Sequence, residues 1–269
     1  MQQQGIEEYG ADAYGPNGSM INTNNEFHVT NEFISTSDYR TFWKLRTTLS
    51  QNGSKIVLEK DCRDYMRGLS DTIEGSMGIV LSSWDNTDGA EKFELDFGQT
   101  PASSCDDATS VIRNFSVKQY GSTENMPDDG SDAKDGFHKF EVNVDGSKVI
   151  KYLSSKDFSE ASTSSDRSEL KMEGNNSLFL RNSEDLSSAS LYKPLVRGGS
   201  ISYNVDVSNQ NSGCVAGVYL LNADNGSCGE VNQMGRTPQC KSIDAMQANL
   251  FGFETKAHPC SNGTCDAIS

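Results

Sequence analysis

The chain reads as an all-β protein, a curved antiparallel β-sandwich of the jelly-roll kind. Three observations predict this. Most segments alternate apolar and polar residues with a period of two, the signature of a strand with one covered face. No segment carries a convincing 3.6-residue apolar period. Only 35% of the 269 residues are hydrophobic, and Gly, Ser, Asn and Asp are abundant, which suits short strands joined by polar turns.

The elements follow in order. NEFHVTNEFIS (25–35) and RTFWKLRTTLS (40–50) alternate and read as strands. Asn52-Gly53 then turns the chain into SKIVLEK, because both residues tolerate the left-handed backbone of a two-residue hairpin loop. GSMGIVLSSWD (75–85) is more apolar and reads as a strand buried on both faces. EKFELDFG (91–98) and SVIRNFSVKQYGS (110–122) alternate again. The acidic, turn-rich stretch 124–136 reads as a linker, and KFEVNVDGSKVIKYL (139–153) as a hairpin around Asp145-Gly146. A second polar stretch covers 156–169, and NSLFLRN, GSISYNVDVS and CVAGVYLLNAD add three strands. The length suits one large all-β domain or two small ones, and with no internal repeat visible the chain reads as a single domain over residues 1–269.

Charge and composition narrow the partners. A net charge of −15 repels phosphate backbones and anionic lipids, so nucleic acid and membrane surfaces are poor partners. No run of about eighteen apolar residues is present to span a bilayer. A neutral or cationic ligand fits this acidity, and so does plain solubility. Seven cysteines, with Cys228/Cys240 and Cys260/Cys265 closely spaced, suggest an oxidising, extracellular compartment. Sequons start at Asn17, Asn52, Asn114, Asn175, Asn225 and Asn262, which fits a secreted glycoprotein. MQQQGIEEYG has no apolar core of a leader peptide. His258 precedes Cys260, but no CxxC pair occurs, so no metal site is expected. No cofactor is expected either.

The stretch CKSIDAMQAN (240–249) carries the chemical question. It resembles the strand of glycoside hydrolase family 7 cellulases that reads roughly E-x-D-x-x-E-A-N, here Ser242-Ile-Asp244-Ala-Met-Gln247-Ala-Asn249. Ala257-His258-Pro259-Cys260 and Gly263-Thr264-Cys265-Asp266 resemble the turns that follow that strand. Tyr14-Gly15-Pro16-Asn17-Gly18-Ser19, the run from His28 to Phe33, GSMGIVLSSWDN and the strand from Val111 to Thr123 resemble further family segments. Their order differs, because the acid-bearing strand precedes the YGPG turn in the family and here closes the chain. The chain therefore looks circularly permuted, its usual ends joined through the linker near 124–136.

The resemblance implies a concanavalin-like sandwich with a cleft left open, because the loops that roof the longer exo-acting members have no counterpart. It implies pairing of Cys105 with Cys214, Cys228 with Cys240 and Cys260 with Cys265. Cys62 is left over, either because its family partner falls where the chain is cut or because it is simply a buried thiol. It also implies site roles by position: Ser242 at the nucleophile, Asp244 at the helper carboxylate and Gln247 at the acid/base. Trp84, His258 and Asn249 take sugar-binding positions. Trp84 reads equally as a core tryptophan, and His258 nearly equally as a structural histidine. Trp43 is a candidate second platform, with core packing the better reading.

Retaining hydrolysis uses two carboxyl groups about 5–5.5 Å apart, one attacking the anomeric carbon and one donating a proton. A serine hydroxyl with no adjacent base is a poor nucleophile, and a glutamine amide has no titratable proton to give. On a strand, positions 242 and 244 share a face, and 247 joins them only if the strand is bulged. The expected function is β-glucan binding, or binding of another neutral polysaccharide, with hydrolysis impaired or absent. A second reading is an inactivated endo-glucanase, or a hydrolase using other acids, with Glu254 and Asp266 nearest but expected to be solvated turn residues. A third is a structural matrix or surface-assembly protein with an extracellular protein partner.

Overall fold

The computed structural model describes residues 9, 12–36, 41–61, 66, 68–74, 77–85, 104–120, 131–154, 161–222 and 241–258. They are almost entirely strand. A small parallel pair, β1 (Tyr14–Gly15) and β2 (Ile21–Asn22), precedes the rest. The other fourteen strands form one curved, nearly closed sheet, a sandwich as expected.

In chain order these are β3 (Phe27–Ser35), β4 (Phe42–Gln51), β5 (Ser54–Asp61), β6 (Met77–Asp85) and β7 (Thr109–Lys118). Next come β8 (His138–Val144), β9 (Ser147–Ser154), β10 (Ala161–Thr163), β11 (Glu169–Glu173) and β12 (Asn176–Arg181). The last four are β13 (Ser200–Asn209), β14 (Cys214–Asn222), β15 (Ser242–Ala248) and β16 (Phe253–His258). Across the sheet they run β16-β15-β14-β6-β12-β9-β8-β7-β13-β3-β4-β5, with β11 and β10 branching from β7. All neighbours in this sheet are antiparallel except β7 and β8.

The predicted hairpins form where the turn chemistry places them. Gln51 pairs with Ser54 around Asn52-Gly53, and Val144 pairs with Ser147 around Asp145-Gly146. Both turns need positive φ at two residues, and they have it: 49° and 88° in the first, 51° and 87° in the second. Besides β1 and β2, three strands go beyond the sequence reading. β10 and β11 lie in or beside the stretch read as polar, and β16 lies in FETKAH. β11 pairs with β7 and carries β10 on its other side, and Leu170 and Met172 of β11 are buried in the main core. The segment 91–98 and most of the expected linker lie outside the described residues.

The alternation decides what is buried. On β3 and β13, every second side chain enters one core that also takes Leu45, Leu49, Ile112, Phe115, Val117, Phe140, Leu178 and Leu180. β14 and β15 are buried at nearly every position, so both their faces are covered. Cys105 and Cys214 form a disulfide that ties the approach to β7 to the start of β14. The expected Cys228–Cys240 and Cys260–Cys265 bonds, and Cys62, lie outside the described residues. The opening stretch lies beside the closing hairpin: the Tyr14 hydroxyl donates to the Asn249 carbonyl at 2.9 Å, and Thr23 to that of Leu250 at 2.6 Å.

Candidate functional site

β15 carries an extra residue relative to both neighbours. Val218 of β14 pairs with Met246 and Tyr219 pairs with Asp244, so Ala245 is the insertion. Against β16 the register shifts across the same interval, between Asp244 and Gln247. Two consecutive side chains, Ala245 and Met246, therefore enter the main core beside Ile243 and Ala248. That changes the parity of the strand. Ser242 and Asp244 face away from the core, and past the bulge Gln247 does too.

Two side chains hold the bulge from the core side. Asn31 of β3 donates to the carbonyl of Ala245 at 2.7 Å and to the Thr47 hydroxyl at 2.9 Å. Thr255 of β16 donates to the carbonyl of Asp244 at 2.9 Å. Asn31 and Thr255 are buried, so each bond replaces one that water cannot supply.

Neighbouring strands complete the face by register. Tyr219 lies beside Asp244 and Val80, and Gly217 lies between Gln247 and Ser82. Lys256 is in register with Asp244, and Glu254 with Gln247. The Gln247 amide donates to Asp244 Oδ2 at 2.8 Å. The Trp84 indole N–H donates to the Tyr219 hydroxyl at 2.8 Å, and Trp84 packs on Val215. The Tyr219 ring lies over Gly217, where a side-chain carbon would collide with it. Phe179 of β12 packs on Val80, Tyr219 and Leu221. Burial pushes the Tyr219 phenol well above its ordinary pKa, and the Asp244 charge adds to the rise.

The structure thus gathers Ser242, Asp244, Gln247 and Trp84, and adds Tyr219, Phe179, Lys256 and Glu254. Tyr219 was legible only as one apolar position of a strand. Glu254 was expected in a solvated turn; it lies instead on β16, 12% exposed, and is bonded to Lys256 at 2.7 Å. Its strand forms because FETKAH alternates as β15 requires of a partner.

Ser242, Asp244 and Gln247, expected to line an open cleft, are 6%, 1% and 1% exposed. Part of the cover is described. The Arg181 guanidinium donates to the carbonyls of Asp185 and Ser187 and to the Ser190 hydroxyl, drawing this loop over the outer face of β12. Leu191, at the end of that loop, lies against Gly78, which is in register with Leu221 and through it with Ser242. Asn249, expected to bind sugar, closes the β15–β16 turn: its side-chain oxygen accepts from the backbone N–H groups of Phe251 and Gly252, both at 2.8 Å. Trp43 is on β4, at the far end of the strand order, and is not brought to this face. His258 pairs with Ser242 through the backbone; its side chain lies outside the described residues.

Chemically, positions 242 and 247 supply a hydroxyl and an amide. Asp244 and Glu254 are the carboxylates that the described strands bring to this face. Among the described residues no group of His, Cys, Asp and Glu side chains is arranged to hold a metal ion. Comparison with protein-family models, curated proteins and solved structures finds no match, so the likeness to cellulases rests on the residues themselves.

Proposed function

We propose that this protein binds a β-glucan or a related neutral polysaccharide at the face of Ser242, Asp244 and Gln247, and that it does not hydrolyse it. One observation carries the reading: the bulge in β15 places all three polar side chains on one face, beside the rings of Trp84 and Tyr219. Hydroxyl, amide and carboxylate groups next to flat aromatic surfaces are what a pyranose needs, since its edge hydrogen-bonds and its face is apolar. Gln247 spends its amide on Asp244 and holds no proton to donate, and Ser242 has no carboxylate to attack with. The net charge of −15 favours a neutral ligand over an anionic one.

Burial sets the affinity. A sugar reaches these side chains only when the cover over the face yields, and part of the binding energy is spent on that opening. Binding is therefore expected in the millimolar range, on the order of −4 kcal/mol. Calorimetric titration with cello-oligosaccharides tests it. The expected result is saturable binding without release of shorter sugars, weakened by Trp84→Ala. Absence of binding at millimolar sugar overturns the proposal.

A second reading is favoured by the position of Glu254. It places a second carboxylate on the face that bears Asp244, so a hydrolase working through that pair is the alternative. Turnover of a chromogenic cello-oligosaccharide that disappears in Glu254→Gln would establish it in place of the first.

A further inference from the structure

We propose that Asn17, Asn52 and Asn114 are acceptors for N-linked oligosaccharides. Each opens an Asn-x-Ser sequon, completed by Ser19, Ser54 and Ser116. All three asparagines are exposed. Among the described residues, none of the three side-chain amides is engaged in a hydrogen bond. Asn175 heads a fourth exposed sequon, at the entry to β12.

The backbone carries each side chain out of the fold. Asn52 stands at the tip of the β4–β5 hairpin with φ of 49°, and Asn17 lies in the connection from β1 to β2 with φ of 79°. Asn114 sits inside β7, where a strand residue would ordinarily alternate into the core. A register shift against β13 between Ser202 and Asn204, and φ of 53° at Asn114, turn it outward. Ile112 and Phe115 on either side remain buried. A left-handed backbone explains why asparagine is favoured at these points. It does not explain the hydroxyl two residues later in all three cases. A second observation is independent: Cys105 and Cys214 are disulfide-bonded across 109 residues, which belongs to the oxidising route on which such glycans are added.

The co-substrate is an oligosaccharide carried on a polyprenyl diphosphate. The asparagine Nδ2 bonds to the anomeric carbon of the first sugar, and the bond from that carbon to the diphosphate oxygen breaks. The diphosphate leaves with the electron pair, and the amide nitrogen gives up one proton to a base of the transferase. No oxidation state changes. None of the three acceptors lies on β6, β14, β15 or β16, so the inference is independent of the sugar-binding reading.

The test is glycopeptide mapping of the full chain secreted from eukaryotic cells, with a non-reducing map of the same sample to follow the Cys105–Cys214 bond. The expected result is glycan at Asn17, Asn52 and Asn114, each converted to aspartate by peptide-N-glycosidase. Ser19→Ala, Ser54→Ala and Ser116→Ala should each abolish the glycan at its own site while the asparagine stays, and Ser54→Thr should keep it. Secreted chain with the disulfide formed and all three asparagines unmodified overturns the proposal. So does chain that leaves the cell with neither the disulfide nor glycan. A variant lost from the medium is read from its intracellular pool, where glycan on the intended asparagine despite the missing serine counts against the assignment.

Discussion

The side-chain amide of Asn31 on β3 donates a hydrogen bond, 2.7 Å long, to the carbonyl of Ala245 on β15, joining the two layers of the sandwich through the core. That carbonyl belongs to the inserted residue of the bulge. The bond therefore supports the irregularity that sets Gln247 on the face of Asp244. Asn31→Leu would leave the carbonyl, the Thr47 hydroxyl and the Tyr203 hydroxyl short of a partner. We expect a loss on the order of 1–3 kcal/mol in denaturant unfolding, larger than for Thr47→Val. Equal effects of the two changes would deny Asn31 its special place.

Gly217 is needed for the ring of Tyr219. Alanine there would press on a fully buried phenol and pull it from the Trp84 indole. Overpacking of this kind costs about 1–3 kcal/mol. Gly217→Ala should lower the melting temperature and shift the Trp84 fluorescence, whereas Gly53→Ala should leave that fluorescence unchanged. An unperturbed spectrum in Gly217→Ala would show that the ring moves freely.

Lys151 lies in the core layer, 1% exposed, with its amine donating to Asn182 Oδ1 at 2.8 Å and resting over the Tyr192 ring. Burial lowers its pKa from 10.5 to about 8. The folded state then binds fewer protons than the unfolded one between those values, so this group's contribution to stability rises with pH across that window. Below about pH 8 both states carry the charge and its desolvation penalty is present in full. Lys151→Met should therefore stabilise the fold near neutral pH by on the order of 1–2 kcal/mol, and the advantage should shrink as pH rises towards 10. Unfolding curves of the two proteins at several pH values give the difference. An advantage independent of pH would mean that the amine is solvated.

Ser242→Glu combined with Gln247→Glu returns two carboxyl groups to the seats that the resemblance assigns them. We expect slow hydrolysis of a chromogenic cello-oligosaccharide, with a loss of stability because charges are added beside buried Asp244. A stable double variant with no turnover would sink the assignment of these seats.

The Cys105–Cys214 bond closes a sequence separation of 109 residues. Loops of that length gain roughly 4–5 kcal/mol from a crosslink on chain-entropy grounds. Replacing both cysteines with serine should lower stability by about 2–5 kcal/mol, and reduction of the native protein should match it in a thermal scan.

Alternation along the chain was enough to determine the all-β class, the strands from β3 to β9 among the described residues, and the turns at Asn52-Gly53 and Asp145-Gly146. Those features are local, because a period of two and a left-handed turn are properties of neighbouring residues. The sequence also determined that positions 242 and 247 bear no ionisable acid. Tertiary structure alone decided the face on which Gln247 lies. Five positions from Ser242, an unbroken pleat would have sent it into the core, and the insertion at Ala245, held by Asn31 from 214 residues away, reverses that. Tertiary structure likewise turned Asn249 into a turn residue and brought Glu254 and Tyr219 to the site. It also closed the face over the polar side chains, since burial depends on which distant segments meet there and no local pattern encodes that meeting.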